Sequence, residues 1–239
     1  PLLFSNAIHP MLDSMESELT IGYLDDLTLA DTQLVVERDV QRVIDVGNSL
    51  GLHLNVSKCE LITSQHTTIS STLLKSFKRL TTGESDLLGA PLFQGASLDA
   101  EWEKRCEDMS RASERLATLN SQDALILLRA SFGAPRVQHL LRCSPSVGHR
   151  NLDKFDEIQR ASLTKISNSD ISDIQWLQAS LPIKEGGLGV KRVASLALPA
   201  FLASAASTTL HQDAILVECN LPSDTFTVAC QTDWASRYG

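Results

Sequence analysis

Between Thr20 and Asp31, Tyr23, Leu24, Leu27, Thr28 and Leu29 stand on both sides of Asp25-Asp26. Two short strand-forming runs around a polar pair predict a β-hairpin with its carboxylates at the tip. Asp is a permitted turn residue, but glycine is missing, so the turn is either looser than the two-residue kind or strained. Upstream, residues 2–12 (LLFSNAIHPML) are apolar enough for a buried helix with Pro10 near its end. Downstream, Val36, Val40, Val43, Ile44, Gly47 and Leu50 recur at steps of three and four. That spacing predicts a helix capped by Thr32 and stopped by Gly51. Leu52, Leu54 and Val56 then alternate with polar residues as a half-buried strand does.

Residues 63–85, rich in Ser and Thr, read as a loop, and Leu87–Phe93 as a short strand-like run broken by Gly89 and Pro91. From Leu98 the period changes. Trp102, Cys106, Met109, Leu116 and Leu119 mark one face of a long helix, and Ala124, Leu127, Leu128 and Ser131 begin another. Leu152, Phe155, Ile158, Gln159 and Leu163 mark a third, ahead of Trp176 and Leu177. A glycine-rich turn, Leu181 to Gly189, precedes an Ala/Leu-rich helix over 193–207. The fold class is therefore α+β, with a small mixed part over 1–96, a helical part over 97–165 and a helical C-terminal part over 166–239.

Composition adjusts this picture in three ways. With 239 residues, 43% of them hydrophobic, the chain is long enough to bury a core. No uninterrupted apolar run reaches the roughly 18 residues of a membrane span, and Leu196–Ala206 contains Pro199, so no membrane partner is expected. Pro1 already reads as part of a structured element, so the chain is expected to be a piece of something longer. The five cysteines form no C-x-x-C pair, which argues against a disulfide framework and for a reducing compartment. His211, Cys219 and Cys230 fit no standard zinc spacing.

The net charge of −8 argues against a stand-alone nucleic-acid binder. Cations concentrate in the middle: 11 Lys and Arg against 10 Asp and Glu over residues 97–165, compared with 6 against 12 over residues 1–96. Arg105, Arg111 and Arg115 on the long helix are its candidate phosphate contacts, weighed against an ordinary solvated face shared with Glu. Gly186-Gly187-x-Gly189 lacks the Lys-Ser/Thr ending and preceding strand of a phosphate loop and reads as a plain turn. Asn55-Val56-Ser57 is a glycosylation acceptor only in a secreted protein.

Adjacent aspartates at a hairpin tip suit Mg²⁺, a hard ion held by one or two carboxylates plus substrate phosphates. A two-metal site for in-line phosphoryl transfer needs at least a third carboxylate from a neighbouring strand. Tyr23-Leu24-Asp25-Asp26 resembles the Tyr-x-Asp-Asp signature of reverse transcriptases, and its surroundings extend the likeness. Pro1–Pro10 resembles the end of the family's template- and nucleotide-handling motif, and Asn55-Val56-Ser57-Lys58 its Asn-x-x-Lys segment. Leu88-Gly89-Ala90-Pro91-Leu92 falls where the primer-grip hairpin is expected. Order and spacing resemble non-LTR retrotransposon polymerases, and the Leu-Pro-x-x-x-Gly-Gly-Leu-Gly turn resembles the thumb and following region.

The resemblance implies a partial polymerase palm followed by a helical thumb and connection region. It implies Asp25 as metal ligand supported by Asp26, Tyr23 near the primer end, Lys58 as general acid for the departing pyrophosphate, and Leu88, Gly89, Ala90 and Pro91 as primer grip. The implied cofactor is Mg²⁺, or Mn²⁺. The implied partners are an RNA template, a DNA primer, deoxynucleoside triphosphates and the upstream remainder of a polyprotein, in the cytoplasm or nucleus. The family's other metal-binding Asp belongs to a strand upstream of Pro1, so this chain by itself is expected not to polymerise. The rival from another class is a non-catalytic retroelement remnant serving as a helical interaction module. A third, an unrelated phosphohydrolase, would draw ligands such as Glu60 or Asp86 from within the chain.

Overall fold

The computed structural model describes residues 1–63, 66–215 and 224–239 and is a mixture of helix and small sheets. Two compact units form: Pro1–Thr81 with the end of a long helix from Leu210 onward, and Thr82–Thr209 with the C-terminal helix. The boundary falls at Thr81/Thr82 rather than at residue 96, so the primer-grip-like segment belongs to the helical unit.

In the first unit, α1 (Leu2–Asp13) leads to a hairpin of β1 (Leu19–Tyr23) and β2 (Asp26–Ala30), then α2 (Gln33–Ser49). The expectation of a buried α1 needs correcting: only Ile8 and Met11 are buried, while Leu2 and Leu3 are 73% and 86% exposed. Its inner side meets the hairpin at Gly22, where a Cβ would lie 2.7 Å from a Leu12 methyl. Glycine there lets the helix approach the sheet face that Gly22 shares with Leu27.

Helix α2 ends as its glycine predicts. The amide N–H of Leu52 donates to Gly47 O at 2.9 Å and that of Gly51 to Asn48 O at 3.2 Å, with Gly51 at φ 76°, a Schellman ending. Thr32 occupies the N-terminal cap position but its side chain makes no capping bond. The alternation at Leu52, Leu54 and Val56 does not become a strand, because Leu52 is consumed by the helix ending and Val56–Lys58 forms a single 3₁₀ turn. The strand lies just beyond, as β3 (Glu60–Ile62), paired in parallel with β4 (Lys78–Leu80) inside the segment read as loop.

In the second unit, β5 (Asp86–Leu87) and β6 (Ala90–Pro91) form a tight hairpin packed against the helices that follow. These are α3 (Ala96–Leu116), α4 (Ser121–Leu127), α5 (Ala134–Cys143), α6 (Asn151–Ser167), α7 (Asp173–Ser180), α8 (Val193–Ile215) and α9 (Thr225–Tyr238). The core is the one the helical spacing predicts: Trp102, Cys106, Met109 and Leu116 from α3 meet Leu152, Phe155 and Leu163 from α6. Leu119 lies past the end of α3 and is 46% exposed. A π-helical turn over Leu128–Phe132 joins α4 to α5. Val193–Gln212 of α8 has a mean hydropathy of 1.5 with 17% of its apolar window buried, so by length and composition alone one described helix could cross a membrane.

Buried polar groups lock these helices. Asp156 of α6 accepts from the amides of Val193 at 2.6 Å and Ala194 at 3.0 Å, an anionic cap on the first turn of α8 supplied from another helix. Trp102 Nε1 donates to Ser146 Oγ at 3.1 Å, which satisfies the indole in the driest part of the core.

Candidate functional site

The register pairs Leu19 with Ala30 and Tyr23 with Asp26, leaving Leu24 and Asp25 as a two-residue turn. Only Asp25 therefore sits in the tip; Asp26 opens β2. The turn is tight without glycine, and the cost falls on Leu24, which adopts φ 55°. For a branched apolar residue the left-handed region costs about 1–2 kcal/mol. Tyr23 and Asp26, as cross-strand partners, share one sheet face with Ile21 and Thr28. This is the face opposite Gly22 and α1.

The tip is open to solvent. Tyr23 is 58% and Leu24 41% exposed, and Asp25 and Asp26 are exposed as well. Among the described residues neither carboxylate has a hydrogen bond or ion pair. Two adjacent like charges without a cation nearby favour a counter-ion.

The base of the hairpin is held by two aspartates that the sequence pattern does not single out. Asp31 Oδ2 accepts from the Glu18 amide at 2.9 Å, closing β1 onto β2, and its Oδ1 accepts from the Thr32 amide. These backbone bonds, first that from Glu18, hold the Asp31 carboxyl below its ordinary range. Asp39, on the inner face of α2 and fully buried, accepts from the Glu16 amide at 3.0 Å, the Ser17 amide at 2.7 Å and the Ser17 hydroxyl at 2.6 Å. Arg42 Nη1 stands 3.1 Å away and also donates to Ser14 O. Burial works to raise the Asp39 pKa, but the Ser17 hydroxyl, the two amides and Arg42 outweigh it and hold it low. Glu16 is gripped in turn by Arg38 and Arg42, each at 2.9 Å. The strand carrying Tyr23 is thus clamped to α2 by polar groups rather than by a deep apolar core.

Other sequence-predicted residues are dispersed. Lys58 ends the exposed 3₁₀ turn after Asn55, whose side-chain oxygen accepts from Ser57 Oγ at 2.7 Å. Leu88 and Gly89 form the two-residue turn of the β5–β6 hairpin, both at positive φ, with Ala90 and Pro91 buried behind them. On α3, Arg111 and Arg115 share a face and Arg105 does not. Arg105 is bound to Glu101 and Arg111 to Asp108, whereas Arg115 has no ion pair among the described residues. The face is mixed with its own carboxylates.

Glu60 pairs with Lys78 at 3.3 Å, and Asp86 lies in β5. Cys230 is buried and His211 exposed, while Cys219 lies outside the described residues. The glycine-rich turn serves helix packing. At Gly187 a Cβ would stand 2.1 Å from Leu181 O, and the amides of Leu188 and Val190 return to Ala179 O at 3.1 and 3.2 Å.

Among the described residues no group of three or more His, Cys, Asp or Glu side chains is gathered for a metal ion. Asp25 and Asp26 are therefore two neighbouring carboxylates with no third side chain of these types gathered beside them among the described residues. In comparisons with family models, with curated proteins and with solved structures, nothing matches the chain.

Proposed function

We propose that the chain is the second half of the palm, with thumb and adjoining helical region, of a non-LTR retroelement reverse transcriptase. The observation that carries the reading is the pair of solvent-facing carboxylates, Asp25 in a strained, tight hairpin turn and Asp26 opening β2 opposite Tyr23, neither with a partner among the described residues. Strain at an exposed apolar turn residue is stored where a local geometry is needed. The second support is order along the chain: hairpin, helix, Asn-x-x-Lys turn, then the Leu88-Gly89 hairpin and a helical unit.

In this reading Asp25 and Asp26 hold Mg²⁺ together with a third carboxylate supplied from outside the chain, on a strand added to a free edge of the two-stranded sheet. The bound ion neutralises charge on the transferring phosphate. The chain's own contributions are positional. Asp31 and Asp39 fix the hairpin on α2, Tyr23 and Asp26 present one face to the primer end, and Lys58 supplies a proton donor to the leaving pyrophosphate.

The test is primer extension on an RNA template with Mg²⁺. The 239-residue chain alone gives no extension, and a polypeptide translated from the reading frame extended upstream, with an Asp-bearing strand in frame, gives it. Extension by the chain alone that Asp25→Ala abolishes would overturn the division of the site.

A further inference from the structure

Residues 61–62 and 66–79 build a second feature unrelated to the hairpin carboxylates. Between the β3–β4 pair and the segment crossing it lies a cavity of about 440 Å³, within the range of roughly 300–1,000 Å³ typical of small-ligand pockets. Its apolar lining is Leu61, Ile69, Leu74 and Phe77. The polar lining is His66, Lys75 and Arg79 with Thr67 and Thr68, and among the described residues no carboxylate lines it.

Side-chain hydrogen bonds tie down the walls. With its amide oxygen facing the loop, Gln33 of α2 accepts from the amides of Ser70 at 3.0 Å and Ser71 at 2.9 Å and donates to Thr68 O at 3.3 Å. Ser71, buried, donates its hydroxyl to Glu37 and accepts at 3.2 Å from the amide of Leu74, the first residue of the 3₁₀ turn Leu74–Ser76 that carries Lys75. Arg79 Nη2 donates to Thr67 O at 2.9 Å and so braces the opposite wall.

Register separates the neighbouring charges. Lys78 and Glu60 are partners on one face of the parallel pair and bind each other, while Arg79 and Leu61 are partners on the pocket face. Lys75 has no hydrogen bond from its ammonium and no ion pair among the described residues. A preformed apolar floor under a rim whose described charged side chains are cationic suits an amphipathic anion, because the floor takes a flat apolar body while the ammonium and guanidinium take oxygens.

We propose that this pocket binds a small organic phosphate, its apolar body on Leu61, Leu74 and Phe77 and its phosphate at Lys75, Arg79 and His66. The test is calorimetric titration of the full chain with 1-naphthyl phosphate, alongside 1-naphthol, which lacks the anion, and inorganic phosphate, which lacks the apolar body. Saturable binding of 1-naphthyl phosphate is expected, at least tenfold tighter than either reference compound. Lys75→Gln should weaken it about tenfold, the size of one charge-assisted hydrogen bond. Lys78→Gln, on the other face, should leave it unchanged, and amide shift changes should concentrate in residues 66–79.

Absence of saturation at about 5 mM, equal binding of 1-naphthol, or equal losses in Lys75→Gln and Lys78→Gln would overturn the assignment. A phosphotyrosine peptide binding more than tenfold tighter than 1-naphthyl phosphate would overturn the small-molecule identity in favour of a protein partner. Circular dichroism identical to wild type in both variants separates loss of the site from loss of the fold.

Discussion

Replacing Asp39 by Asn tests whether polar clamping holds the hairpin on α2. The carboxylate is solvent-excluded and receives donors from Glu16 N, Ser17 N, Ser17 Oγ and Arg42 Nη1 at 2.6–3.1 Å. Asparagine fills the same volume but keeps one acceptor oxygen and turns an NH₂ group toward donors. Losing charge assistance on three bonds at about 0.5–1 kcal/mol each, and leaving one donor unsatisfied at about 1 kcal/mol, gives a loss of about 3 kcal/mol. Breaking a buried pair by removing one charge costs about as much.

The assay is urea unfolding at pH 7 followed by circular dichroism, with hydrogen exchange at the Glu16 and Ser17 amides. The exchange of those two amides should accelerate more than that of the α3 core. The pH dependence has a defined sign. Asp39 has its folded pKa below the unfolded value of about 3.9, so its stabilisation is complete above about pH 4 and is lost as pH falls through the folded value. Asp39→Asn should therefore remove part of the acid-induced loss of stability. A change under about 0.5 kcal/mol with unaltered exchange at both amides would refute the clamp.

Three further outcomes follow from local geometry. Leu88→Asn places Asn-Gly at a two-residue turn whose central residues have φ 51° and 76°, so the urea midpoint should rise, by about 1 kcal/mol in stability. Gly187→Ala sets a Cβ against the backbone of Leu181, where no side chain can yield, and should cost about 2–4 kcal/mol in urea unfolding of the helical unit. Burial pushes the Cys106 thiol up to about 11, whereas Cys143 is exposed. Iodoacetamide at pH 8 should label Cys143 in the native protein and Cys106 only with urea, as read by mass spectrometry of the peptides.

What could be read from the sequence divides along the same line as the two units. The helical core was legible because Trp102, Cys106, Met109 and Phe155 recur at helical spacing and burial follows that spacing directly. The Asp25-Asp26 hairpin was legible from its flanks, although placing both carboxylates in the turn was one residue too generous. The clamps were not legible. Asp39 reaches partners 22 and 23 residues away, and Asp156 caps a helix 37 residues on; no local pattern encodes such pairings. The alternation at Leu52–Val56 misled because the Schellman ending took Leu52 first. The strand Lys78–Leu80 was hidden because its parallel partner lies 18 residues upstream.

Asp25→Asn in the polypeptide extended upstream of this chain asks whether the hairpin-tip carboxylate carries nucleotidyl transfer, read by RNA-templated primer extension with Mg²⁺. Templated incorporation is expected from the unmodified polypeptide, with a loss of at least about 100-fold in the variant, the scale of removing a group that stabilises the transferring phosphate. Incorporation unchanged by Asp25→Asn, or none by the unmodified extended polypeptide, would contradict the reading.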